Sequence, residues 1–175
     1  NYDDVKCHNI KDLIDKDPDL KKAQFNKPSY EALNLYKNDI DSARRMQFIW
    51  SLASYYSWFC LFKEGLEDVV YVDADIYFFD DPLKITDFRD FGSIGIIENR
   101  VPYSPVNGKY NVGIIYFKND ADGRKCLEFW KNCLLDQNNK YVSEYGTCGD
   151  QKYLELFPQL FDKVFMFDDY VGHLA

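Results

Sequence analysis

The run Val69-Val70-Tyr71-Val72 constrains this chain more than any other stretch, because it leads straight into Asp73-Ala74-Asp75. An apolar run without alternation suits a strand buried on both faces, the pattern of a parallel sheet covered by helices. In such sheets, ligands bind beyond the carboxyl ends of the strands. Side chains two residues apart on a strand share a face and lie roughly 6.6 Å apart, so Asp73 and Asp75 are placed to converge on one ligand. Carboxylate oxygens suit a hard divalent cation, Mg²⁺ or Mn²⁺. Magnesium is commonly held by one or two carboxylates, with water and phosphate oxygens completing its shell. The pair therefore points to a metal-bound phosphate, a diphosphate supplying what the protein lacks. The competing reading makes both aspartates strand-end residues that cap a loop or helix. Asp-x-Asp alone is a weak signal, and its place at the end of an apolar strand gives it weight.

Composition narrows the classes. The 175 residues are one domain's worth, and 46% hydrophobic with 18% aromatic residues excludes a disordered chain. A formal charge of −8 argues against nucleic-acid binding, because no basic stripe is present to neutralise phosphates. The five cysteines, at 7, 60, 126, 133 and 148, include no Cys-x-x-Cys pair. Neither a disulfide framework nor a structural zinc site is indicated, and a reducing cytoplasm is the compartment that fits. The chain opens on Asn1 rather than Met, so a fragment or processed product is expected.

The stretch Met46 to Phe62 approaches the length of a minimal membrane span. Gln47, Ser51, Ser54, Ser57 and two tyrosines make a buried helix the better reading. That leaves no transmembrane segment, although peripheral association with a membrane remains compatible. Asp41 or Ser42 is expected to cap this helix and Gly65 to end it. Arg44 and Arg45 fall in its first turns, where a solvated face is the ordinary reading; Arg45 is kept as a candidate ligand-binding residue.

Upstream, residues 3 to 40 are charged and weakly patterned, with Asp17-Pro18 and Lys27-Pro28 marking turns between short helices. Downstream, Asp80-Asp81-Pro82 reads as a turn or helix start. Gly92 to Glu98 reads as a second strand, and the loop to Lys109 is punctuated by Pro102, Pro105 and Gly108. Tyr110 to Phe117 gives a third strand, in which Asn111 and Gly113 are out of place. They are explained equally by a sugar hydroxyl approaching the backbone and by a bulge. A helix from about Asp122 to Leu135 buries Cys126, Leu127, Trp130, Cys133 and Leu134. Asp150 is then placed to cap a short helix stopping near Pro158, whereas Gln151 has no comparable structural reason.

Three blocks together resemble the GT-A class of nucleotide-diphospho-sugar glycosyltransferases, in particular its bacterial, family-8-like retaining branch. Val70 to Ile76 is similar to the metal-binding Asp-x-Asp strand, Gly108 to Ile115 to the Asn-x-Gly strand, and Gly149 to Leu154 to the Asp-Gln helix start. The likeness covers residue 41 to the end. It implies an α/β fold with a Rossmann-type mixed, mainly parallel sheet flanked by helices. It also implies a single partial domain over residues 1–175 that lacks the first βαβ unit.

The resemblance further implies a metal-dependent hexosyltransferase of bacterial cell-surface polysaccharide synthesis. Its donor would be a UDP-sugar and its acceptor a glycan or a lipid-linked acceptor. Asp73 would contact the ribose or the Mn²⁺ or Mg²⁺, and Asp75 would ligate the cation that bridges to the diphosphate. Asn111, Gly113 and Asp150 would hold the transferred sugar or acceptor hydroxyls, and Gln151 would lie beneath the anomeric carbon. His173 falls where some relatives carry a third metal ligand; a surface histidine near a chain end is the plainer reading.

Two other classes compete. Haloacid-dehalogenase-type phosphatases also present Asp-x-Asp on an apolar strand with Mg²⁺, but their later acidic pair is missing here, where Gln151 and Lys152 follow Asp150. A non-catalytic sugar-binding protein of the same fold would need no cation.

Overall fold

The computed structural model describes residues 6–82, 89–100, 108–141 and 149–167. Its backbone of support is a 23-residue helix, α4 (Ile40–Phe62), preceded by three short helices, α1 (Ile10–Lys16), α2 (Pro18–Ala23) and α3 (Tyr30–Leu35). Asp39, not Asp41 or Ser42, caps α4, accepting from the amides of Asp41 and Ser42. Gly65 lies just past its end at φ 73°, a left-handed conformation natural to glycine. The serines that gave this helix its polar character are internally satisfied. Ser51, Ser54 and Ser57 donate to the carbonyls of Phe48, Ser51 and Ala53 at 2.6, 3.1 and 2.8 Å. Small buried side chains on α4 let neighbouring elements approach closely. No helix among the described residues is long and apolar enough to cross a membrane.

Among the described residues four strands form one open mixed sheet in the order β1-β3-β2-β4: β1 (Asp68–Val72), β2 (Ile94–Glu98), β3 (Tyr110–Lys118) and β4 (Val164–Met166). The α/β class holds, but the expected mainly parallel sheet does not. Both pairings of β3 are antiparallel, and only β2 with β4 is parallel. The apolar run of β1 was misleading because it occupies a sheet edge, where all five of its residues are half-buried rather than enclosed on both faces. The strand also ends at Val72, so Asp73 and Asp75 lie in the turn beyond it rather than on one strand face.

Helix α5 (Ala121–Leu135), capped by Asp120, packs against α4 and β3. The main core sits between these helices and the sheet, around Trp130, Phe117, Ile115, Leu127 and Phe157. Cys126 and Cys133 are buried free thiols within it, as the seven-residue spacing suggested. After residue 149 the chain forms a 3₁₀ helix (Lys152–Leu156) that runs on into α6 (Phe157–Leu160). Pro158 does not stop this helix, because it stands in the first turn, where no amide donor is required.

Candidate functional site

The site is organised by an irregularity in β3. The β2–β3 register shifts between Gly95 and Ile97, which releases amides of β3 from the ladder. The register shift supplies the irregularity that one of the two readings of Asn111 and Gly113 expects. Two side chains take up the released amides: Asn111 Oδ1 accepts from Gly113 N at 2.7 Å, and Gln151 Oε1 from Val112 N at 3.3 Å. Gln151 therefore does have a structural duty, which is to tie the segment after Gly149 to β3. Across the sheet, the Gly113 carbonyl accepts from Asp73 N at 2.9 Å. These bonds join the Asp-x-Asp turn, the Asn-x-Gly strand and the Asp-Gln segment, which are far apart in the chain.

Three carboxylates gather there. Asp73 is half-buried, and its Oδ1 accepts from the Tyr71 hydroxyl at 2.5 Å. Burial raises the Tyr71 pKa first, then the hydrogen bond and charge of Asp73, then the charges of Asp150 and Asp75. All three aspartates thus lie within electrostatic range of one hydroxyl. Asp75 is exposed, while Asp150 is only 8% exposed. Burial pushes the Asp150 carboxyl up to about 7, amide hydrogen bonds from Asp150 and Gln151 offset part of that rise, and the Asp73 charge adds to it. The N-cap expectation for Asp150 fails: Gln151 holds the cap position of the 3₁₀ helix and makes no side-chain cap bond.

Aromatic residues fix the frame. Trp130 Nε1 donates to the Asp150 carbonyl at 3.0 Å, and its ring meets Tyr71 edge-on at 6.4 Å. Gly149 has φ 58°, and a Cβ there would stand 3.6 Å from the Trp50 ring of α4. Lys152, buried beside Gln151, pairs with Glu155 at 2.8 Å, and Glu155 accepts from Lys109 N.

Asp73, Asp75 and Asp150 make no ion pair among the described residues. Asp73 Oδ2 is not occupied by a hydrogen-bond donor among them. Carboxylate oxygens are the donors a hard cation takes, and Asp73 and Asp75 are the residues here that could offer them. Among the described residues, no group of three or more His, Cys, Asp or Glu side chains is placed to hold a metal ion. A cation completed by phosphate and water does not require one.

Not every expected residue joins the cluster. Arg45 is exposed on α4, and nothing described links it to the three aspartates; its neighbour Arg44 pairs with Asp41 at 2.9 Å. His173 lies outside the described residues, as do Pro102, Pro105 and Cys148. Asp80 serves its own turn, accepting from Asp81 N at 2.8 Å. Sequence reasoning missed Tyr71, Trp130 and Trp50. Tyr71 was recoverable, since it stands only two residues before Asp73 in the chain; the tryptophans were not, because only packing brings them to the turn.

No family model matches the chain, and no solved structure does. It is similar to two Bacillus subtilis proteins described as uncharacterized, YfnF and YfnD. The first is 33% identical over 110 residues, covering 57% of this chain and 36% of that protein. The second is 24% identical over 156 residues, covering 85% of this chain and 45% of that protein. The chain thus spans less than half the length of these curated relatives.

Proposed function

We propose that the chain carries the donor-site half of a metal-dependent glycosyltransferase, which moves a sugar from a UDP-sugar to a glycan or lipid-linked acceptor with retention. The supporting observation is the convergence of the three sequence blocks through backbone and side-chain bonds: Asp73 N to the Gly113 carbonyl, and Val112 N to Gln151 Oε1. The uncompensated carboxylates of Asp73 and Asp75 supply the oxygens for Mn²⁺ or Mg²⁺. When bound, the cation neutralises charge developing on the departing nucleoside diphosphate.

The chain's own residues have distinct tasks in this reading. Tyr71 holds the Asp73 carboxylate in one orientation through its hydroxyl. Asp150 accepts a hydrogen bond from a sugar hydroxyl when ionised. Asn111 spends its carbonyl oxygen on Gly113, leaving its Nδ2 as the donor toward the sugar. Gln151 sets the distance between β3 and the Asp150 turn, so its effect on the anomeric carbon is exerted through position.

The test is calorimetric titration of UDP into the protein with and without Mn²⁺, on the wild type and on Asp75→Ala. Manganese-dependent binding that Asp75→Ala abolishes supports the donor site. Binding of UDP that ignores both manganese and the substitution would sink it, and cation-independent binding of glycans alone would favour the non-catalytic sugar binder.

A further inference from the structure

A cavity of about 760 Å³ lies away from the aspartate cluster, between α1, the start of α2 and the second half of α4. That volume is in the range of small-molecule sites. Its aromatic wall is Tyr55, Trp58 and Phe59 of α4. The wall is held in place: the Tyr55 hydroxyl donates to Asp17 Oδ2 at 2.9 Å, and Trp58 stacks on Phe62 at 5.4 Å. Lys131 and Lys63 lie 4.1 and 5.1 Å from the Trp58 ring centroid. His8 closes one side, meeting Phe59 edge-on at 5.2 Å.

The charges around this cavity are mixed, and that narrows its ligand. Asp17 is fully engaged, since its other oxygen accepts from the amides of Asp19 and Leu20. Glu64 is engaged by Lys6. Asp12, Asp19, Lys16, Lys63 and Lys131 line the cavity without an ion pair among the described residues. A simple anion meets unpaired carboxylates there, and a simple cation meets unpaired ammonium groups. A hydroxyl both donates and accepts, so a polyhydroxylated ligand satisfies both kinds of group at once. Tyr55 is buried, and Phe62, Lys63 and Lys131 cover the Trp58 ring, so Phe59 and the indole edge are the apolar surface left to the C–H face of a sugar ring.

We infer that this cavity binds a saccharide of two to three sugar units. Its occupant is the acceptor glycan, a role that rests on the proposed transferase reading, whereas the saccharide class rests on the cavity alone. Trp58 follows Trp50, which borders the Asp150 turn, by eight residues, or about 12 Å along the α4 axis. The cavity and the Asp150 turn are thus tied to the same helix, two turns apart along it.

The experiment follows the indole N–H resonances of Trp50, Trp58 and Trp130 by NMR, assigned with Trp→Phe variants. Cellotriose, maltotriose and triacetylchitotriose are titrated without metal or nucleotide. A saturable shift at Trp58 from at least one trisaccharide, with Trp130 unmoved, is expected. Asp12→Asn combined with Lys16→Gln changes two exposed side chains and leaves the core intact, and it is expected to weaken that binding at least tenfold. The inference is overturned if no trisaccharide moves Trp58, or if the double variant binds as tightly as the wild type. UDP titration separates the two claims: trisaccharide binding without UDP binding keeps this site and removes the transferase reading, and the reverse result does the opposite.

Discussion

Asp150 is the residue whose environment is most at odds with its chemistry. Its folded-state pKa of about 7 stands above the ordinary 3.8, so its neutral form suits the fold and its charged form does not. Its contribution to stability is complete below the unfolded value and is lost as pH rises from about 4 through about 7. At full loss the penalty is of order 4 kcal/mol, at about 1.36 kcal/mol per pKa unit. Asp150→Asn is therefore expected to be more stable than the wild type at pH 8, with the difference disappearing near pH 4. Urea denaturation of both proteins at the two pH values checks this; equal pH dependence would contradict the burial argument. Tyr71 is the second such residue. Tyr71→Phe removes the hydroxyl that orients Asp73 and is expected to weaken Mn²⁺ affinity tenfold or more with the fold intact, read by calorimetry beside circular dichroism.

Among elements, β3 carries the most information. The misfit of Asn111 and Gly113 with an ordinary strand was visible in the sequence, and the register shift explains it. The side chains that compensate the bulge were not visible together, since Gln151 lies 39 residues from its partner Val112. Gln151→Ala leaves the Val112 amide without that partner, which costs about 1–3 kcal/mol if the amide stays dry. The junction between β3 and α5 depends on close approach: a Cβ on Gly123 would come within 2.0 Å of the Lys118 carbonyl oxygen. Gly123→Ala is expected to destabilise by about 3 kcal/mol, because backbone atoms cannot move aside as a side chain would. Thermal unfolding measures it, and a melting temperature equal to the wild type's would refute the packing. The bounds of α4 and α5 were legible within about two residues, since Asp39 and Asp120 cap through local side-chain bonds and Gly65 takes a left-handed φ just past α4.

Across the whole molecule, a chain of net charge −8 gathers three aspartates at one end of its sheet with no described countercharge. A cation bound there stabilises the folded state. At 100 times its dissociation constant, Mn²⁺ is expected to add about 2.7 kcal/mol, raising the melting temperature by about 5–10 °C. The shift should be absent in Asp73→Ala, and a calorimetric scan of both proteins decides. The sequence by itself determined the two long helices and strands β1 to β3, because caps and apolar periodicity are set by residues near one another in the chain; it did not reveal β4 or the turn that carries Asp73 and Asp75. Only the tertiary structure decided the sheet's antiparallel pairing and edge order, the meeting of Tyr71, Asp73, Asp150 and Gln151, and the cavity beside Trp58. Each of those depends on which distant surfaces pack together, and an apolar run reads alike whether its strand ends up central or at an edge.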